Sequence, residues 1–399
     1  MPNTTTPIEP NLDRAFDLVM QLMAIPGKSG EEQAAAEFII ERLKAAGAPA
    51  DAIRFDTANR RTAIAGQTGN LILKLPGTVR APRRMLSSHI DTVPICVGSQ
   101  PKRKGNVVTS AAPGTGLGAD NRAGAATILS AALTILENKL PHPPLTFVWF
   151  IQEEIGLQGS RCVNKPMLGS PKLAFNWDGG APHKLTIGAT GGYRMTIDVQ
   201  GIASHAGGAP EHGVSAIAIA SIAIAELHRG GWHGLIQQGK QLGTSNVGYI
   251  HGGEATNVVT DRVQLRAEAR SHNPAFRERI VKQIEKAFRN AAKEVKNVDG
   301  KSGSVSFDGQ TDYESFRLEK NEPCVLAAEA AVKAIGREPQ LAIANGGLDA
   351  NWTTRHGIPT VTLGCGQVNQ HMVTEALMVD EFLEACRIAM KLATATEAV

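Results

Sequence analysis

The chain has 399 residues, 42% hydrophobic and 20% charged, with a formal net charge of +3. That length exceeds what one compact core usually holds, so two domains are expected. The small net charge gives nucleic acid no support as a partner. The dense basic run Lys102-Arg103-Lys104 has no interleaved aromatics and reads as a solvated loop.

The first residues, MPNTTTPIEPNLDRAFDLVMQL, lack the basic start and apolar centre of a secretory signal. No stretch approaches the roughly 18 uninterrupted apolar residues that cross a bilayer, so a membrane is not expected as a partner. Five cysteines (Cys96, Cys162, Cys324, Cys365, Cys386) are scattered and never spaced as C-x-x-C. That usage fits free thiols in a reducing compartment, and the expected location is the cytoplasm.

From Leu12 the apolar residues recur at helical spacing through two helices broken at Pro26-Gly27, with Ser29, Glu31 and Glu32 read as the start of the second. Short strand-like runs follow at 69–77 and 83–93, then a long helix over about 121–139, then runs at 145–156 and 172–180. Strands alternating with helices imply an α/β domain with a mixed, mostly parallel sheet and helices on both faces. At about Gly191 the texture changes. A strand, a helix (213–228), strands near 243–251 and 258–271, a helix (274–297) and a strand (302–308) make an α+β block of βαββαβ, ferredoxin-like order. The first alternation then resumes, with helices at 322–336 and 348–356, strands LAIAN and TVTLG, and a closing helix from 379. The expected architecture is a catalytic domain of residues 1–190 and 308–399, interrupted by an inserted domain of 191–307.

Metal-capable side chains fall at strand ends. His89 and Asp91 close MLSSHIDT, Glu153 and Glu154 close LTFVWFIQEE, and Asp178 closes LAFNWDGG; Asp120 opens the long helix, and His371 lies in the loop after TVTLGCGQVNQ. In a parallel sheet the carboxyl ends of the strands converge on one crevice. Imidazoles and carboxylates suit zinc, cobalt or manganese, and one carboxylate can bridge two ions. A two-metal centre lowers the pKa of a water and polarises a carbonyl, while a nearby unbound base takes the proton. Glu153 and Glu154 together offer one ligand and one base. In His89-x-Asp91 both side chains share a face, so Asp91 can orient the imidazole.

The stretches HIDTVP, GLGADNRAG, QEEIGLQGS, WDGG, IASHAGGAPEHG, NGGLDAN and QVNQHMVTE resemble the M20 metallopeptidases, in family order and over nearly the whole chain. The peptidase T, or tripeptidase-like, branch is the most similar through its Trp-Asp-Gly-Gly and Glu-Glu-Ile-Gly segments. This resemblance implies two divalent ions, zinc first, with cobalt or manganese as alternatives. His89 and Asp178 would bind one ion, Glu154 and His371 the other, and Asp120 would bridge them. Glu153 would be the general base and Asp91 the residue that orients His89. The inserted block would be a lid domain that also carries homodimer contacts. There His205 would stabilise the tetrahedral intermediate, from its own or the neighbouring subunit, and Asn257 and Arg270 would bind substrate. Gly346 and Gly347 would line the cleft. The implied activity is exopeptidase cleavage of di- or tripeptides. An N-acyl amino acid amidohydrolase or glutamate-carboxypeptidase-like enzyme on the same site is the alternative, and a non-catalytic metal-dependent peptide binder a remote third.

Overall fold

A computed structural model describes residues 9–395; the first eight residues of the segment read above as lacking a signal lie outside it. Packing divides the chain into two units. One takes the chain up to Gly188 and from Arg317 onward, and the other is Ala189–Phe316. The expected boundary at 307 falls inside the strand Ser304–Tyr313, which pairs along its length with Gly191–Gln200 and so belongs with the insert.

In the first unit a nine-stranded sheet has four parallel strands at its centre: Leu145–Phe150, Arg84–His89, Leu173–Trp177 and Thr360–Leu363. Each is buried along its whole length. Burial on both faces is why these segments read as continuous apolar runs rather than alternating ones. Leu71–Leu75 and Ile53–Phe55 extend one edge antiparallel. The helix Ala119–Asn138 packs on Arg84–His89 and Leu173–Trp177 and is buried from Ala119 through Ile135. Gly124 permits this approach, since a Cβ there would lie 2.5 Å from the Trp177 carbonyl oxygen and 2.6 Å from Ser88 Oγ.

The basic run Lys102-Arg103-Lys104 is not a loop. It forms the strand Pro101–Lys104, hairpinned to Val107–Ser110, with exposed side chains that gave no alternation to read. This hairpin continues through Ala376–Met378 to Gln367–Val368 in a four-stranded sheet. The loop that carries His371 joins the last two strands, so the sheet fixes both its ends.

The second unit has a five-stranded antiparallel sheet in the order Gly234–Gln238, Gln241–His251, Arg262–Ser271, Gly191–Gln200, Ser304–Tyr313. Alternating burial along Arg262–Ser271 marks a sheet with one covered face. The helices Ala216–Arg229 and Pro274–Glu294 build its core with Ile197, Val199, Leu265, Ile280 and Phe288. Asn273 caps the second helix by accepting the Phe276 N–H, and Pro274 occupies the first turn. The edge strand Gly234–Gln238 adds one element to the expected βαββαβ order; with Leu235 77% exposed it carries little burial pattern.

Candidate metal centre

Three of the parallel strands deliver the site. Arg84–His89 ends on His89, Leu145–Phe150 runs into Gln152-Glu153-Glu154, and Leu173–Trp177 runs into Asp178. His89 Nδ1 lies 3.1 Å from the backbone oxygen of Asp91 and 3.4 Å from its Oδ1. The nearer partner is thus the carbonyl, not the carboxylate expected from the His-x-Asp spacing. With Nδ1 so engaged, Nε2 faces Asp120 Oδ1 at 3.2 Å and Glu153 Oε2 and Asp178 Oδ1 at 3.9 Å each. His371 Nε2 stands 2.9 Å from Glu154 Oε2 and 3.2 Å from Asp120 Oδ2. The two oxygens of Asp120 therefore face two different histidines.

The Asp91 carboxylate holds the neighbouring segment. Its Oδ1 accepts the Glu153 N–H at 2.9 Å, and its Oδ2 accepts the Glu154 N–H at 3.2 Å and the Ser29 hydroxyl at 2.6 Å. One residue earlier, Gln152 sits in the left-handed region at φ 53°, with its N–H donated to Glu32 Oε1 at 3.1 Å. The helix expected to start at this segment does begin there, with Glu32 at its N-cap position, but the Ser29 and Glu32 side chains are turned to other partners. The helix begins at Gln33 with no side-chain cap, while Glu32 is fully buried and accepts the Gly30 N–H at 2.7 Å. Their local signal is that of a helix start, and their partners lie in distant segments.

The electrostatics are those of acids crowded in a dry place. Burial, then the charges of Asp178, Glu154 and Asp349, raise the Glu153 carboxyl well above its ordinary value, against the opposing pull of His89. Asp178 is raised likewise, by burial and by Asp120. Burial works to raise Asp120 too, but the His371 and His89 imidazoles outweigh it and hold that carboxyl low. Asp120 and Glu154 lift His371 to about 10. Asp349, inside NGGLDAN, is a further buried acid raised to about 6, chiefly by burial. The Ser160 side chain opposes that rise.

Such a cluster fits divalent cations. Ligand-capable atoms of His89, Asp120 and Glu154 lie within 4.8 Å of one another, as do those of His89, Glu153 and Asp178. Hard oxygen and imidazole donors are the set that zinc, cobalt and manganese accept, and a cation offsets the mutual repulsion of the acids. Cys365, although close in sequence to His371, is a buried thiol outside both groups.

In the second unit, His205 lies on the short strand Ser204–His205, paired with Val258–Val259 beside Asn257. Its Nδ1 accepts the Gly208 N–H at 2.8 Å and the Gly207 N–H at 3.2 Å. The ring hydrogen of neutral His205 is therefore placed on Nε2. Asn257 holds the same turn by accepting the Ala206 N–H at 2.9 Å. Arg270 spends its fork on Glu268, two residues back on its own strand, with Nε and Nη2 each 3.0 Å from a carboxylate oxygen. In the first unit, Gly346 and Gly347 lie between the strand Gln340–Ala344 and the helix Asp349–Arg355. A Cβ at Gly346 would meet nothing within 4 Å, so no crowding demands glycine there.

Residues 70–198, which contain all six strand-end and helix-start groups from His89 to Asp178, match the family model described as Peptidase family M28. Residues 187–296 match the Peptidase dimerisation domain of M20. Among curated proteins, an uncharacterized Bacillus subtilis protein, YqjE, is 32% identical over 81% of this chain and 83% of its own. A Staphylococcus aureus tripeptidase structure superposes with a TM-score of 0.86 at 28% identity, covering 97% of this chain and 99% of the other. The aminopeptidase PepT of Bacillus cereus gives 0.82 at 30% identity, covering 96% and 98%. Among the described residues no helix is long and apolar enough to cross a membrane.

Proposed function

The chain belongs to the M20 family of metallopeptidases and is a metal-dependent peptidase, and from that premise we propose that it is a dinuclear exopeptidase acting on di- and tripeptides. The observation that carries this reading is Asp120, whose oxygens stand 3.2 Å from His89 Nε2 and 3.2 Å from His371 Nε2, as a bridging carboxylate must. His89 and Asp178 would hold one ion, and Glu154 and His371 the other. Zinc is the expected ion, with cobalt or manganese able to replace it. Two divalent cations bound there would supply a water of lowered pKa and a polarised scissile carbonyl.

The protein's own groups do the rest. Glu153 takes the proton from the attacking water and passes it to the leaving amine. Asp91 orients His89 through its carbonyl and Glu153 through its carboxylate. His205 would offer its Nε2–H to the developing oxyanion, and Asn257 and Arg270 would bind the substrate, its carboxylate replacing Glu268 on the arginine fork. Gly346 and Gly347 would line the cleft. The match of residues 187–296 to a dimerisation domain supports a homodimer through the insert. Five free cysteines fit the cytoplasm.

Similarity to a tripeptidase and an aminopeptidase favours peptides over acylated amino acids as substrates. Glu153→Gln tests the assignment of the base. The variant should bind metal like the wild type and lose about 10²–10⁴ in turnover. Near-normal turnover would refute that role.

A further inference from the structure

Glu375 lies four residues after His371, in the loop between Gln367–Val368 and Ala376–Met378, and its side chain is buried. Its Oε1 accepts the Asp120 N–H at 2.9 Å. Its Oε2 accepts the Leu117 N–H at 2.9 Å, the Gly118 N–H at 2.8 Å and the Cys96 thiol at 3.3 Å. Four donors thus converge on one carboxylate, three of them from the turn that ends in Asp120. The backbone is shaped for this contact. Gly118 is left-handed at φ 80°, and a Cβ at Gly116 would fall 2.9 Å from Cys96 Sγ and 3.1 Å from Glu375 Oε2.

We propose that Glu375 is a positioning residue of the metal centre, tying the loop that bears His371 to the turn that bears Asp120. The inference rests on the reading of those two residues as ligands. A carboxylate that bridges two ions must hold both oxygens in place, and its own backbone N–H is anchored by Glu375. His371 is half exposed and belongs to a loop rather than to a central strand. One side chain therefore sets the spacing between a ligand of one ion and the bridge to the other. Charge-assisted bonds from backbone amides give this tie its strength. Partners that orient metal ligands are typically worth 10–100-fold in metal affinity.

The test uses the full-length protein and Glu375→Gln, in which an amide group must face backbone N–H donors on one side. Zinc and cobalt affinities are measured by competition with a chromogenic chelator, and the cobalt-loaded proteins are compared by visible absorption. The expected result is an affinity about 10–100-fold weaker with an altered cobalt spectrum, while Cys96→Ala, which removes only the weak thiol donor, stays within about twofold of wild type. Should Glu375→Gln fail to fold, Glu375→Asp, which keeps the charge but falls short of the turn, carries the same prediction. A folded variant with wild-type affinity and cobalt spectrum overturns the proposal, even if activity falls. Wild-type protein that binds neither ion would instead contradict the metal-site reading itself.

Discussion

The Ser29 hydroxyl donates to Asp91 Oδ2 at 2.6 Å, across 62 residues of sequence. Through Asp91 it reaches both halves of the candidate chemistry, since that residue also holds the His89 ring and the Glu153 and Glu154 amides. Behind them lies Arg122, fully buried, whose charge faces Asp91 and Glu32.

Ser29→Ala removes the hydroxyl and leaves one oxygen of a buried carboxylate with only the 3.2 Å amide contact. The expected cost is about 1–3 kcal/mol of stability. Activity should fall by about tenfold or more through kcat, with KM little changed, because the partner of a catalytic segment is lost and not a substrate contact. Denaturant unfolding and steady-state kinetics check both parts. A variant that loses activity through KM alone would place Ser29 elsewhere.

Metal-free protein should lose stability as pH rises. His371, raised to about 10 by Asp120 and Glu154, keeps a proton that the unfolded chain gives up near 6.5. Its stabilisation is therefore complete below that value and is lost as pH climbs toward 10. Buried Glu153, Asp178 and Glu32, all raised, push the same way, because folding hinders an ionisation that the unfolded chain undergoes freely. Asp91 and Asp120, held low, act in the opposite sense only below about pH 4. Cations require deprotonated ligands, so the rise in Tm that metal produces should widen over the same range. Thermal melts with and without zinc from pH 6.5 to 9.5 check this. A metal-free Tm that increases across the range would contradict it.

Gly124→Ala tests how tightly the long helix is seated beneath the site. The added methyl would stand 2.4 Å from Asn121 Oδ1 and 2.5 Å from the Trp177 carbonyl oxygen. Overpacking of this kind costs about 1–3 kcal/mol, despite the better helix propensity of alanine. Because Asn121 follows Asp120, metal affinity should weaken as well. Unchanged stability would show that the helix shifts freely.

The central strands and the histidine and carboxylates gathered at their ends were legible because burial on both faces writes apolar runs into the sequence and parallel pairing gathers their carboxyl ends. Asp349, Glu375, Ser29 and Glu32 were not. Each acts on a group far away in the chain, and each has an innocent local reading, as Ser29 and Glu32 do at a helix start. The strands Pro101–Lys104 and Gly234–Gln238 escaped for a related reason. They are paired edges with exposed side chains, held by backbone hydrogen bonds that leave no periodic signal.

Hydrolysis of a panel of tripeptides, dipeptides and N-acetyl amino acids, with zinc, cobalt or manganese and then with a chelator, is the most direct measurement. Products would be followed by mass. Chelator-sensitive, metal-restored release of single residues from tripeptides or dipeptides is the predicted result. Acetyl removal without peptide cleavage would move the substrate to acylated amino acids. With two ions bound per chain, failure to cleave any member of the panel would contradict a peptidase.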